Sequence, residues 1–474
     1  MKKIILLLFV LFLVSACEDI LVEKPKAIAT ETFYNTVNEV ASATNAIYYP
    51  FKNSGFASNF PALMESWPDY GYGRGSFASN SNYAGLDATN ISRVGSLWLY
   101  LYLAIRNANL VIKNTPNGTD ITDTKKSEFI GEAKFMRAFC YYNLVRCWGG
   151  VPLRTEETLG AIDIPRSSVN DVYDLILSDL ENAQQNLPDA PRLIGTPSKW
   201  AAKTFLAEVQ LTLKNWDNAR DLAKEVIESG KYSLVKVSVA DDFYKIFGPA
   251  VVNSTEEIFY LKFSASEGWV FPKYAHHPGS KLHAGGGFYG LYTTTNNLVY
   301  ANWDNNDLRK NFNWYSWNIG IGSNTLLNKK FISPVEANAP NDYPIYRYAD
   351  LLLIYSEAAN QANNGPTAEA VECLNKVHRR AYGFDPGVAS PVDFKVSDYN
   401  KESFFDLVLK ERGYETMFEG KRWLDLVRTG KAAKIIKEVK GIDIQEKHYL
   451  FPIPTVETDY NKAINPETDQ NPGY

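Results

Sequence analysis

The chain has 474 residues, a net charge of −5, 45% hydrophobic and 22% charged residues, and 4 cysteines. That length can bury a large core and allows about three domains. The mild acidity speaks against nucleic-acid binding, which goes with a basic patch, and so few cysteines exclude a disulfide scaffold. The unusual figure is an aromatic fraction of 14%, from 10 Trp, 29 Tyr and 25 Phe.

Lys2 and Lys3 precede an apolar run over 4–14, followed by Val14-Ser15-Ala16-Cys17. A positive end, a short apolar stretch and small residues at a cleavage point make the plan of a bacterial secretory signal over 1–16. The run is shorter than the ~20 residues a spanning helix needs. The tetrapeptide has the form of a lipobox, so Cys17 is expected to carry acyl chains, and two such chains hold a protein on a membrane without a spanning helix. The acidic Glu18 and Asp19 resemble a surface-export signal of some outer-membrane lipoproteins. No later stretch is apolar enough to span a bilayer. Residues 17–474 therefore read as one tethered domain, with 18–230 as its N-terminal part and 231–474 as its C-terminal part.

Helical periodicity dominates both parts. Apolar residues recur at three and four over 96–113, and further helices are expected over 124–148, ended by Gly149-Gly150, and over 168–187, ended by Pro188. Residues 199–213 and 216–229 form a helix pair with small residues where the two must approach, which has the form of a tetratricopeptide unit. A weaker echo follows at 346–362 and 368–381. One such unit cannot bury its apolar face alone, so stacking against other pairs is expected. Cys140 and Cys147 sit ~10 Å apart along a helix, beyond the ~7 Å reach of a disulfide; with Cys373 they read as buried thiols.

Two stretches break this pattern. Residues 53–90 and 268–339 are rich in Gly, Asn, Trp and Tyr with few periodic runs. Long structureless segments in a compact protein usually serve function, and their aromatic content argues against disorder. The second is a loop-rich insert in the C-terminal part.

Several segments carry a family resemblance: 31–36, 131–153, 344–358, 411–428, and the terminal 450–454 and 470–474. In this order they span nearly the whole chain, and together the chain resembles the SusD/RagB family. The resemblance implies a mainly α fold, a tetratricopeptide-like helical-repeat superhelix with an irregular loop-rich face and few short strands. It implies a non-catalytic lipoprotein of the outer-membrane surface. Such proteins sit over a SusC-like TonB-dependent barrel transporter and capture glycans, or in some branches peptides, for import. The ligand site is expected on the face built by the corresponding loops, carried over as a region and not residue by residue.

The charged residues of the matching segments read as structural. Arg137 and Arg146 on one helix, Arg347, Asp350 and Glu357 on another, and the run from Glu411 to Arg422 are expected to pair across packed helices and fix their register. The loops carry the candidate site. A sugar presents flat C–H patches framed by hydroxyls, so its site needs aromatic faces together with planar polar groups. The first loop offers Trp67, Asp69, Tyr70, Tyr72, Arg74 and Tyr83. The second offers Tyr289, Tyr292, Trp314 and Trp317, with Phe288, Tyr315, Asn296, Asn313 and Asn318 nearby. Trp98, at a helix start, is assigned to the core.

Other chemistries find less support. No phosphate loop and no nucleophile elbow is present. No local signature places two carboxylates across a cleft for glycoside hydrolysis. His276, His277 and His283 cluster in a loop without the spacing of a metal site. No cofactor is expected; some relatives hold calcium, but no EF-hand pattern occurs here. The rival readings are a peptide-binding lipoprotein of the same uptake system, a helical-repeat adaptor that binds no small ligand, and a surface glycosidase.

Overall fold

A computed structural model describes residues 33–52 and 54–474. The expected signal segment 1–16 and Cys17 lie outside the described residues. Helices α1 (Val37–Asn45), α2 (Asn59–Ser66) and α3 (Phe77–Ser81) lead into two long helices, α4 (Ala88–Asn114) and α5 (Asp123–Trp148). Then come α6 (Val169–Asn186), α7 (Lys199–Thr212), α8 (Trp216–Glu228), α9 (Tyr348–Ala362), α10 (Ala368–Ala381), α11 (Lys401–Glu415), α12 (Arg422–Arg428) and α13 (Ala432–Lys440). Between them run the short strands β1 (Tyr72–Gly73), β2 (Glu257–Leu261), β3 (Leu291–Thr294), β4 (Trp314–Ser316), β5 (Thr325–Asn328) and β6 (Tyr343–Arg347).

The helix ends follow local chemistry. Thr122 and Ser198 accept the first free N–H groups of α5 and α7, Ser168 forms a capping box with Asp171 at α6, and Gly149 ends α5 at φ 73°. These caps satisfy backbone groups that have no partner inside a helix. Two boundaries differ from the sequence expectation. Helix α4 starts at residue 88, not 96, because Asp87 caps Asn90 N at 2.8 Å and the buried Asn90 side chain donates to the Ser76 carbonyl. That is polar burial, which an apolar period does not register. Helix α9 starts at residue 348, not 346, because residues 343–347 form β6, where Tyr343 and Pro344 pair with Leu261 and Tyr260 of β2.

Each long helix packs on the next, α4 on α5, α5 on α6, α6 on α7, α7 on α8, and α8 on α9. The result is a helical-repeat superhelix. Ala201, Ala202, Ala207, Ala219 and Ala223 are fully buried, so α7 and α8 approach closely. Phenylalanines fill the centre: Phe135 meets Phe259 edge-on at 5.0 Å, and Phe51 meets Phe56 at 5.0 Å. Burying such a side chain is worth about 1.5–3 kcal/mol. Trp98 is buried, and Cys140, Cys147 and Cys373 are free, buried thiols.

The charged motifs lock these helices together. Arg137 of α5 grips Asp179 of α6 with two hydrogen bonds at 2.7 and 2.8 Å. Around α11 the network is denser. Arg347 meets Glu415 at 2.6 Å and Glu419 at 2.8 Å, Arg309 meets Glu411 at 2.7 Å, and Arg380 bridges Glu256 and Glu415. Burial alone would raise Glu411 and Glu419; the cations Arg309, and Arg347 with Lys330, outweigh it and hold both near about 2.

Candidate functional site

The two aromatic stretches meet in one antiparallel sheet of order β1-β3-β5-β4. Tyr72 faces Tyr292 and Gly73 faces Leu291; beyond them Thr293 faces Leu326 and Tyr315 faces Leu327. Residues 54–90 are more ordered than a loop, since they hold α2, β1 and α3. The sheet joins these distant segments at its edge and divides their rings into a packed set and an open set.

Five candidate residues belong to the packed set, which corrects their reading as ligand contacts. Trp67 is 2% exposed, stacked on Trp423 at 5.7 Å and edge-on to Tyr83 at 5.1 Å. Tyr83 is buried and donates its hydroxyl to the Trp67 carbonyl at 2.6 Å. Asp69 is buried in an ion pair with Arg422, 2.6 Å between Oδ2 and Nη2. Tyr70 is buried and donates to Glu65 at 2.6 Å. Trp314 is buried against Tyr70 and Phe418. Trp423 covers Trp67 and Tyr83, and Phe418 covers Trp314. Tyr70, Tyr83 and Asp69 spend their polar atoms inside the protein, while the buried indole N–H groups of Trp67 and Trp314 meet no acceptor among the described residues. Asn313 is likewise buried, donating to the Arg309 carbonyl at 2.8 Å.

The open set comprises Tyr72, Arg74, Tyr289, Tyr292 and Trp317, all half-buried, with Phe288 exposed beside them. Tyr72 stacks on Tyr292 at 5.6 Å. The Arg74 guanidinium lies 4.2 Å over the Tyr289 ring. Tyr289 meets His277 at 4.7 Å, and His277 meets Trp317 at 5.1 Å. Arg74, Tyr289, His277 and Trp317 thus form one row of flat groups. Tyr289 holds φ at 39°, a left-handed backbone that a bulky residue adopts only under constraint. Two close approaches set the row. A Cβ on Gly279 would stand 2.9 Å from the Trp317 ring, and one on Gly287 would stand 1.9 Å from the His276 carbonyl oxygen. Beside the row lies an open cavity of about 430 Å³ lined by Arg74, Phe77, Arg93, Tyr274 and Phe288. Recesses of about 350 Å³ against α11–α13 and against α4 are not lined by rings from 274–292 or 314–317.

Two ionisable groups, half-buried Lys440 and buried Glu65, lie next to this face. Lys440, at the end of α13, points its ammonium at the Gly71 carbonyl at 2.6 Å and over the Tyr72 ring at 5.2 Å. Burial lowers its pKa to about 7, with Asp69 pulling the other way. Glu65 accepts from Tyr70 and, at 2.7 Å, from the Gly420 N–H. Burial raises its pKa to about 7 against those hydrogen bonds. The histidines divide too. His276 and His283 are buried, and burial pushes both down to about 4, so they are neutral near pH 7. Only His277 joins the ring row. Among the described residues, no group of three or more His, Cys, Asp or Glu is placed to hold a metal ion.

Sequence reasoning passed over His277, Tyr274, Phe77 and Arg93 as parts of this face. His277 was set aside with its metal-poor neighbours, though its position between two aromatic-rich runs was the available signal. Arg93 lies on the polar first turns of α4, where nothing local distinguishes it from a solvated charge.

Models of one family match both parts of the chain: the SusD family over residues 253–474, and the model described as starch-binding associating with outer membrane over residues 22–211. A relative, SusD-like protein P25 of Formosa agariphila, is 26% identical over 540 residues, covering 100% of this chain and 99% of its own. The crystal structure of a SusD homolog from Bacteroides thetaiotaomicron superposes with a TM-score of 0.79 at 23% identity, covering 94% of this chain and 98% of the other. A structure described as a laminarin-binding SusD-like protein gives 0.74 at 22% identity, covering 93% and 100%. At these identities the structures establish the fold, and the family models with the full-length relative establish kinship: the chain belongs to the SusD/RagB family.

Proposed function

We propose that this protein is a non-catalytic, lipid-anchored binding protein of the outer-membrane surface that captures a glycan and passes it to a SusC-like TonB-dependent barrel transporter. The row Arg74–Tyr289–His277–Trp317 carries the reading. Its faces are half-exposed, it borders an open cavity, and it is assembled from two segments far apart in sequence. Flat rings cover the C–H faces of a sugar, and the arginine beside them donates to its hydroxyls. One matching family model is described as starch-binding and one similar solved structure as laminarin-binding, which supports glycan as the ligand class. The words "associating with outer membrane" and the lipobox at Cys17 support the location. The buried carboxylates Glu411, Glu415 and Glu419 are held in ion pairs that fix helix crossings, which favours a scaffold over a hydrolytic site.

Isothermal titration against soluble starch, laminarin, other polysaccharides and peptides tests this. A saturable heat with a glycan, lost in Tyr289→Ala/Trp317→Ala at an unchanged melting temperature, is the expected result. Binding to peptides alone, or release of reducing sugar, would overturn it.

A further inference from the structure

Of the 16 arginines in the chain, all but Arg74, Arg93, Arg106 and Arg166 pair with a carboxylate among the described residues. Arg166 spends its guanidinium on the carbonyls of Gly150, Trp148 and Asp469. Arg106 lies in a different recess, against α4. The remaining two, Arg74 and Arg93, wall the same cavity of about 430 Å³ beside the ring row, and no carboxylate lines that cavity.

The local geometry keeps both guanidinium groups available. Arg93 is held flat, 4.2 Å over the Phe77 ring, and one of its nitrogens donates to Ser76 Oγ at 2.8 Å and Asn90 Oδ1 at 2.7 Å. Its other N–H groups meet no acceptor among the described residues. Arg74 rests on Tyr289 and makes no side-chain hydrogen bond among the described residues. Its backbone is fixed, with its N–H on the Gly290 carbonyl at 2.8 Å and its carbonyl accepting from Phe77 at 3.3 Å. Two planar cations are thus oriented by aromatic faces, with their donors facing an open, carboxylate-free space. Guanidinium groups recognise planar or tetrahedral oxyanions through paired N–H donors.

We propose that the glycan bound on this face is acidic, with an anionic substituent, a sulfate ester or a uronate carboxylate, seated between Arg74 and Arg93 while its rings lie on Tyr289 and Trp317. This rests on the glycan-binding reading and narrows it. Neutral hydroxyls could be served by amides; two uncompensated cations in one cavity select for charge.

The test is titration of the full-length mature protein with oligosaccharides of alginate (carboxylate), carrageenan (sulfate) and laminarin (neutral), at low and high NaCl. One acidic probe should bind about tenfold or more tighter than laminarin, the scale of a hydrogen bond to a charged group. Its affinity should fall with salt. Arg74→Gln and Arg93→Gln should each weaken it about tenfold, with a smaller loss on laminarin, and Arg74→Lys should recover part of the affinity. Which acidic probe binds distinguishes sulfate from carboxylate. Laminarin bound as tightly as both acidic probes overturns the inference and leaves the glycan reading standing. So does acidic binding that neither substitution weakens while the melting temperature holds. Failure of all three probes to bind counts against both readings.

Discussion

Two regions of the molecule hold their cations differently. Around Arg347 the guanidinium groups of Arg309, Arg347 and Arg380 are sealed among Glu256, Glu411, Glu415 and Glu419. Around Arg74 the guanidinium groups lie on ring faces and reach no carboxylate among the described residues. The aromatic residues divide in the same way: Trp67 stacks on Trp423 inside the protein, while Trp317 rests on His277 at the surface. The comparison teaches that residue type does not decide role here. A side chain whose charge or ring faces are covered by the protein holds the scaffold; one whose faces stay open to solvent is available to a ligand.

The comparison breaks first at the sealed region. Arg347→Ala leaves buried carboxylates uncompensated and should cost about 3–5 kcal/mol, read by denaturant unfolding, whereas Arg74→Ala should stay within about 0.5 kcal/mol of wild type, as surface changes do. Similar losses for the two would erase the distinction.

A second test uses pH. The Glu65 carboxyl is raised from 4.5 to about 7 in the folded protein. Its contribution to stability is therefore complete below pH 4.5 and lost as pH rises through about 7. Glu65→Gln is neutral throughout, so its stability relative to wild type should improve between pH 5 and pH 8 by about 2–3 kcal/mol. A gap independent of pH would show that Glu65 ionises normally, as an open residue does.

A third test sits on the ligand face. Trp317→Ala should weaken glycan binding by about 1–2 kcal/mol and leave the melting curve in place. Trp67→Ala should lower the melting curve instead, by the mechanism of a lost core ring. The smallest effect is expected at Lys440. Removing its donors with Lys440→Met should cost about 1 kcal/mol and speed amide exchange in residues 67–83, which its ammonium ties to α13 through Gly71.

Much of the scaffold was legible in the sequence. The pair 199–213 and 216–229 announced itself by period, small residues and a following Gly230, and it folds as α7 and α8. The charged runs were readable as helix ties because their types and spacing admitted little else. The site was legible as two regions and not as residues. Trp67 and Trp317 sit in similar Gly- and Tyr-rich surroundings, and what separates them is the arrival of Trp423 and His448 over one ring. That is a long-range event no local pattern encodes. Arg93 joined the face for the same reason, brought there by α4 packing against residues 76–80 through Asn90.

Hydrogen exchange of the mature protein with and without its bound glycan locates the ligand directly. The account predicts slowed exchange in 72–77, 274–292 and 314–317, the segments of the open ring row and its cavity. Protection confined to the outer surfaces of α8–α10, with those segments unchanged, would contradict it.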